Sequence, residues 1–180
     1  MPISAIEARR LAELVEALPP RRRRELTRRF ADATTRMEQL GLLDPHAPRG
    51  RAALLATTTT GESAWDNLSR RYFAAGIACP FLEHEACSIY PDRPLICREY
   101  SAVTPAEWCS ELGPRTRTVE RPVRMSEALV GAGNALAGTD FPGIPLTLAL
   151  EWSVVHGHAL AVKVDGDALF WALVEHIADE

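Results

Sequence analysis

The four cysteines are the residues of this chain whose type and spacing most clearly suggest chemistry. Cys79, Cys87, Cys97 and Cys109 fall within 31 consecutive residues of a 180-residue sequence, in the pattern C-x7-C-x9-C-x11-C. Four thiolates complete the shell of a tetrahedral zinc ion, and they equally hold a cubane iron–sulfur cluster with one cysteine per iron. The clustering therefore predicts one metal site, with four unrelated core thiols or disulfides as the alternatives.

The spacing of the cysteines also bears on the identity of the metal. Structural zinc sites usually contain closely spaced cysteine pairs, and this chain has none. Long connections reach around a cluster more easily than around one small ion. We therefore predict an iron–sulfur cluster, of the 4Fe-4S type, with an electron-transfer or structural role. The alternative is a zinc-stabilised binding module with a four-cysteine zinc site and no redox activity.

The neighbours of the cysteines fit a buried anionic site. Arg93 and Arg98 lie close to Cys97 in the sequence and could offset the charge of about −2 that a filled four-thiolate site carries. Pro94 predicts the start of a short helix with Cys97 in its first turn, where free N–H groups favour a thiolate. We expect four apolar side chains to exclude water from the site: Phe81, Leu82, Ile89 and Leu95.

Together these residues form a long motif that resembles the YkgJ-like cysteine-cluster family, a zinc- or iron-chelating domain. The resemblance covers about residues 72–109, and it implies metal binding while leaving the choice between zinc and iron open. Cys109 lies in an element, Pro105-Ala106-Glu107-Trp108-Cys109, that is similar to one found in some members. The other matching segments are Cys79-Pro80-Phe81-Leu82, Cys87-Ser88-Ile89-Tyr90, Arg93-Pro94 and Cys97-Arg98.

The chain departs from the family in one respect. Many members carry an additional C-x2-C-x2-C-C run upstream, and residues 1–78 contain no cysteine. The chain is therefore expected to fill one four-thiolate site and no more. A distant relative, the flagellin lysine methylases, is associated with a four-iron cluster and methyl transfer. An enzyme built on the cluster is thus a third hypothesis, and whether the chain is an enzyme stays open.

Apolar residues recur at helical spacing towards both ends of the chain, with an irregular middle. We predict a mostly α-helical single domain, in which a metal site organises an irregular cysteine-rich loop segment. It comprises N-terminal helices (1–77), the cysteine segment (78–122), with a weakly extended stretch at Thr116–Met125, and C-terminal helices (123–180). The expected helix boundaries are Pro19-Pro20, Gly41, Ser63, Ala75, Ser126, Gly138, Pro145 and either Asp165 or Asp167, and the last apolar stripe is Phe170, Leu173, Val174 and Ile177.

The charge of the chain and its lack of targeting signals limit the kinds of binding partner and the cellular location that we expect. The Arg21–Arg24 run, with Arg28 and Arg29, could contact phosphates, but the net charge of −4 argues against nucleic acid. A solvated helix face, or docking on the acidic C-terminal third, is the favoured interpretation. No apolar run is long enough to span a bilayer and no secretory signal is evident, so we expect a cytoplasmic chain without membrane association. A protein partner stays open. Weaker candidate ligands are His84 and the pair His156 and His158.

Overall fold

The computed structural model describes residues 2–43, 71–84, 86–101, 103, 117, 119, 121–138, 143–157 and 165–178. Helices dominate these residues, as predicted. In chain order the elements are β1 (Pro2–Ile3), α1 (Ala5–Glu16), α2 (Pro20–Gln39), β2 (Leu82–Glu83), β3 (Ala86–Cys87), a 3₁₀ helix (Tyr90–Asp92), α3 (Leu95–Glu99), α4 (Met125–Ala137), β4 (Ile144–Pro145), a second 3₁₀ helix (Leu146–Leu148), α5 (Ala149–His156) and α6 (Gly166–Ala178).

The first two helices begin and end close to the predicted residues. Ser4 caps α1 in a capping box, because its hydroxyl accepts from the Glu7 amide at 3.2 Å while the Glu7 carboxylate accepts from the Ser4 amide at 2.9 Å. Pro20 occupies the first turn of α2, and Gly41 follows its end with a φ of +64°, a conformation that glycine adopts without steric cost. The buried faces of α1 and α2 consist of Ala5, Ala8, Leu11, Val15, Leu26, Phe30, Ala33, Thr34 and Met37.

The N-terminal residues are joined to the C-terminal third by a small sheet. Strand β1 pairs antiparallel with β4, so that Pro2 faces Pro145 and Ile3 faces Ile144. Helix α5 then packs along α1 and contributes Trp152, which is fully buried. Pro145 was expected in the first turn of this helix. It lies instead in β4, because strand pairing and a 3₁₀ helix intervene before Ala149.

Helices α4 and α6 form a second packed pair. Gly138, with a φ of +61°, ends α4 as predicted, and the Asp165 carboxylate accepts from the Asp167 amide at 3.0 Å at the start of α6. The prediction that Ser126 caps α4 is wrong. The helix begins at Met125, and Arg124 occupies the N-cap position. Within the described part of the chain, the apolar stripe predicted for α6 is only partly buried, because the Phe170 side chain is 57% exposed.

One core joins the elements that surround the cysteine segment. Its buried side chains come from β1, α1, α2, β4 and α5, and two come from the cysteine segment itself, namely Phe81 and Ile89. The predicted helix from Ser63 to Ala75 lies largely outside the described residues, although residues 71–74 are helical. Among the described residues, no helix has both the length and the apolar character needed to cross a bilayer.

Candidate metal centre

A tight turn presents the first cysteine. The Leu82 amide donates to the Cys79 carbonyl oxygen at 2.9 Å and closes this turn. Phe81 fixes the turn to the core, because its ring is 1% exposed and meets the Phe30 ring edge-on at 5.3 Å between centroids. Burial raises the pKa of the Cys79 thiol, and the backbone amides of Phe81 and Leu82 partly oppose that rise.

A short hairpin brings the second cysteine to the same turn. Strands β2 and β3 pair so that Leu82 faces Cys87, and the Ser88 amide donates to the Phe81 carbonyl at 2.9 Å. His84 occupies the tip with a φ of +48°. The sequence did not predict this hairpin. It reverses the chain between Cys79 and Cys87 and returns the second thiol towards the first.

The third cysteine lies in a helix, as predicted. Helix α3 begins after Pro94, and the Cys97 amide donates to the Pro94 carbonyl at 3.1 Å, which places Cys97 in the first turn. The free amide of Leu95 donates to the Glu7 carboxylate at 2.6 Å. A carboxylate of α1 therefore caps the cysteine helix and joins it to the N-terminal part of the fold.

The expected effect of the helix terminus on Cys97 is outweighed by burial. Burial raises the pKa of the Cys97 thiol to about 11, and the nearby thiols of Cys79 and Cys87 raise it further. Burial also raises the pKa of Cys79, although this residue is solvent-exposed and water weakens the effect. The three thiols are therefore close enough to influence one another. Without a metal, the Cys97 thiol is protonated at neutral pH.

Cys109 lies outside the described residues, but the base of its loop is defined. The Val119 amide donates to the Ser101 carbonyl and the Val103 amide donates to the Arg117 carbonyl, both at 2.9 Å. These bonds lie four residues and more after Cys97. The described residues of the stretch predicted as weakly extended, Thr116–Met125, form no strand, and Met125 already begins α4. Within the described residues alone, no group of three or more Cys, His, Asp or Glu side chains is arranged to hold a metal ion. The four-cysteine site therefore stays a prediction.

The arginines next to the cysteines contact the backbone and an aromatic ring. Arg93 lies over the Tyr90 ring at 3.6 Å, and Arg98 donates to the carbonyls of Pro91 at 2.5 Å and Arg93 at 2.8 Å. They stabilise the turn before α3. The prediction that apolar side chains exclude water from the cysteines holds only in part. Phe81 and Ile89 are buried, whereas Leu82 is 44% exposed.

Two arginines of α2 meet the cysteine hairpin, whereas Arg21, Arg24 and Arg28 are exposed, in line with the predicted solvated helix face. Arg22 and Arg29 both bind the carboxylate of Glu83 in β2, and both also bind Glu25 on their own helix. The bond to Glu83 raises the pKa of Arg22, and Arg22 lowers the pKa of Glu25. We call these four residues the arginine–glutamate cluster. Glu83 lies 54 residues from Arg29 and 61 residues from Arg22 along the chain, so no local sequence pattern predicted these ion pairs.

Of the candidate ligand histidines, the structure describes His84 and His156, and neither belongs to a metal-binding group among the described residues. His84 is exposed at the hairpin tip, where its imidazole is not held by the core. His156 ends α5, and its ring lies 5.3 Å from that of Trp152. This agrees with a helix-terminal histidine. His158, its predicted partner, lies outside the described residues.

Comparison with known proteins identifies one sequence family. Residues 42–118, less than half of the chain, match the family described as "CxxCxxCC: Putative zinc- or iron-chelating domain". The match extends beyond the predicted range of 72–109 on both sides and includes all four cysteines, although the run spelled in the family's name is absent here. No curated protein and no solved structure matches the chain. Over residues 42–118, then, the chain matches a cysteine-cluster family whose description is metal chelation, with zinc or iron as the metal.

Proposed function

We propose that the chain is a metal-binding protein with one centre on Cys79, Cys87, Cys97 and Cys109, and that the centre is a 4Fe-4S cluster. The observation that carries the proposal is the β2–β3 hairpin, which returns the chain from the turn at Cys79 to Cys87 inside a segment that matches a zinc- or iron-chelating family. Cys97 follows in the first turn of α3. Cysteine thiolates are the ligands that zinc and iron–sulfur clusters prefer, so these residues fit a thiolate-bound metal.

The role that follows is electron transfer or structural support. When bound, a four-iron cluster supplies one-electron redox chemistry, and four cysteine ligands leave no iron open to substrate. The protein's own residues hold the ligands in place: Phe81 excludes water on one side, and Glu7 fixes the start of the helix that carries Cys97. Because Cys97 is protonated at neutral pH without a metal, binding must release protons.

Metal analysis and a visible spectrum of anaerobically purified protein test this proposal. We expect a coloured protein with about four iron and four sulfide per chain, in line with one cubane. Serine substitution of each cysteine in turn, Cys109 included, should remove the colour. A colourless protein with one zinc per chain, from aerobic and anaerobic preparations alike, would overturn the cluster.

A zinc-stabilised binding module is the second candidate. The family description favours it, because that description names chelation of zinc or iron and no cluster. In this case the metal would fix β2, β3 and α3 around the core without redox chemistry. The protein would then be colourless and would unfold when a strong chelator removes the metal. Retention of the native circular dichroism after complete zinc removal would contradict this role.

A further inference from the structure

We propose that Arg29 acts on the metal centre as a positioning residue, by holding the backbone turn from Cys79 to Leu82 that presents the Cys79 sulfur. The inference rests on the proposed metal site but holds for either metal. Arg29 is not a ligand and lies on α2, outside the cysteine segment. Its effect would reach the centre through hydrogen bonds alone.

Two carbonyl oxygens of the cysteine turn carry the argument. The Arg29 guanidinium, through Nη1, lies 3.4 Å from the Pro80 carbonyl oxygen and 3.3 Å from the Leu82 carbonyl oxygen. The Leu82 amide also donates to the Cys79 carbonyl at 2.9 Å, which closes the turn. A cation at these carbonyl oxygens polarises their peptide groups, and hydrogen bonds in such a chain strengthen one another. Arg29 thus fixes the backbone that presents the Cys79 sulfur.

The arginine–glutamate cluster keeps the guanidinium in this position. Arg29 binds Glu83 at 2.9 Å through Nη1 and Glu25 at 2.7 Å through Nη2, and its side chain is 32% exposed. Arg22 binds the same two carboxylates from a position two turns earlier in α2. Two cations and two anions therefore hold one another, so that Arg29 is already oriented before a metal arrives.

Phe30, the next residue of α2, packs the cysteine turn against the core independently of Arg29. Phe30 contacts the ring of Phe81, and this contact anchors the turn whether or not Arg29 is present. Loss of the guanidinium should therefore leave the turn docked on the core while the backbone around Cys79 loses the cation that joins its carbonyls. The expected consequence is weaker metal retention, because the Cys79 ligand is held less firmly. A residue that served only folding would not change metal retention at constant stability.

The experiment compares two charge-matched substitutions on α2. R29Q removes the guanidinium at the cysteine turn, and R28Q removes the same charge from the adjacent, exposed position. Each protein as purified is challenged with a chelator, and the rate of metal loss is measured. The reduced metal-free proteins are then titrated with cobalt(II), whose sulfur-to-metal absorption reports thiolate coordination. Urea unfolding of each protein monitors stability.

We expect R29Q to weaken cobalt(II) binding about tenfold, to accelerate metal loss and to shift the sulfur-to-metal band, since partners of metal ligands typically contribute 10–100-fold to affinity. R28Q should stay within about twofold of the original protein. Equal behaviour of R29Q and R28Q would overturn the inference. If R29Q does not fold, R29K decides: one ammonium cannot reproduce the planar guanidinium contacts, so unchanged binding by R29K would equally overturn it.

Failure of the proposed function gives a different result. If the unsubstituted protein retains no zinc or iron and binds no cobalt(II), there is no metal centre for Arg29 to act on, and the function itself is refuted. If the unsubstituted protein binds metal and R29Q binds it equally well, the function stands and only the role of Arg29 falls.

Discussion

Replacement of Glu7 by alanine should destabilise the fold far more than an ordinary surface substitution. The carboxylate accepts from the Ser4 amide and hydroxyl at 2.9 Å each and from the Leu95 amide at 2.6 Å. Ser4 is only 1% exposed, so its polar groups would lose their partner inside the protein. A hydrogen bond to a charged group contributes about 1.5–3 kcal/mol, and loss of a cap costs about 1 kcal/mol.

These three bonds share one carboxylate and are not additive, so we expect the free energy of unfolding to fall by about 2–4 kcal/mol in E7A. For a chain of this size the melting temperature should fall by about 5–10 °C. E7Q should be intermediate, because an amide oxygen can still accept from Leu95 but carries no charge. The matched control is E13A on the same helix, where the exposed pair with Arg9 at 2.9 Å contributes about 0.3–0.5 kcal/mol.

Urea unfolding followed by circular dichroism, at equal metal content, measures these differences. Equal values for E7A and E13A, within about 0.5 kcal/mol, would refute the reasoning that Glu7 joins α1 to the cysteine helix. A second readout is amide hydrogen exchange at Leu95. It should accelerate in E7A and stay unchanged in E13A, because only Glu7 protects that amide.

Three further predictions follow from the same structure. In metal-free protein, burial raises the pKa of Cys97 to about 11, above its unfolded value of about 8.5, so folding favours the protonated thiol. The contribution of the protonated Cys97 thiol to the free energy of unfolding should be complete below about pH 8.5 and should disappear as the pH rises towards 11. The midpoints of urea unfolding at several pH values measure this loss. A Cβ on Gly131 would lie 2.1 Å from Cδ2 of His176, so G131A should lower the free energy of unfolding by about 1–3 kcal/mol, with partial recovery in the double substitution G131A/H176A. E99A should cost about 1–2 kcal/mol, because the Glu99 carboxylate accepts from the Ser126 amide at 3.2 Å at the start of α4; unchanged thermal melting would contradict this.

Local signals were sufficient for the ends of α1 and α2 and for the start of α3, but they misplaced the starts of α4 and α5. The apolar spacing, Pro19-Pro20 and Gly41 predicted the ends of α1 and α2, because helix termination depends on residues within one turn. Pro94 likewise predicted α3 and the position of Cys97 in it. The hairpin of β2 and β3 was not predicted, since two-residue strands are too short to produce an alternating pattern.

Long-range contacts explain what the sequence could not predict about the site. Glu83 binds arginines 54 and 61 residues away, and Glu7 binds an amide 88 residues away. Neither pairing has a periodicity or a spacing that could be recognised locally. The contact of Arg22 with the cysteine hairpin was missed for the same reason, whereas the predicted solvated helix face holds for Arg21 and Arg24, which are exposed. Cys109 and its place in the site are still a prediction from spacing and family resemblance.

The pairing of β1 with β4 has a consequence for the order of events during synthesis. Ile3 cannot find Ile144 until translation has passed every cysteine, because Cys109 precedes Ile144 by 35 residues. At typical elongation speeds, the thiols therefore exist for roughly 2–7 s before the strand that closes the fold has been made. In that interval the cysteine segment has no finished core against which Phe81 can be buried. If the cysteines bind the proposed metal, its delivery would compete with thiol oxidation on the nascent chain during this interval.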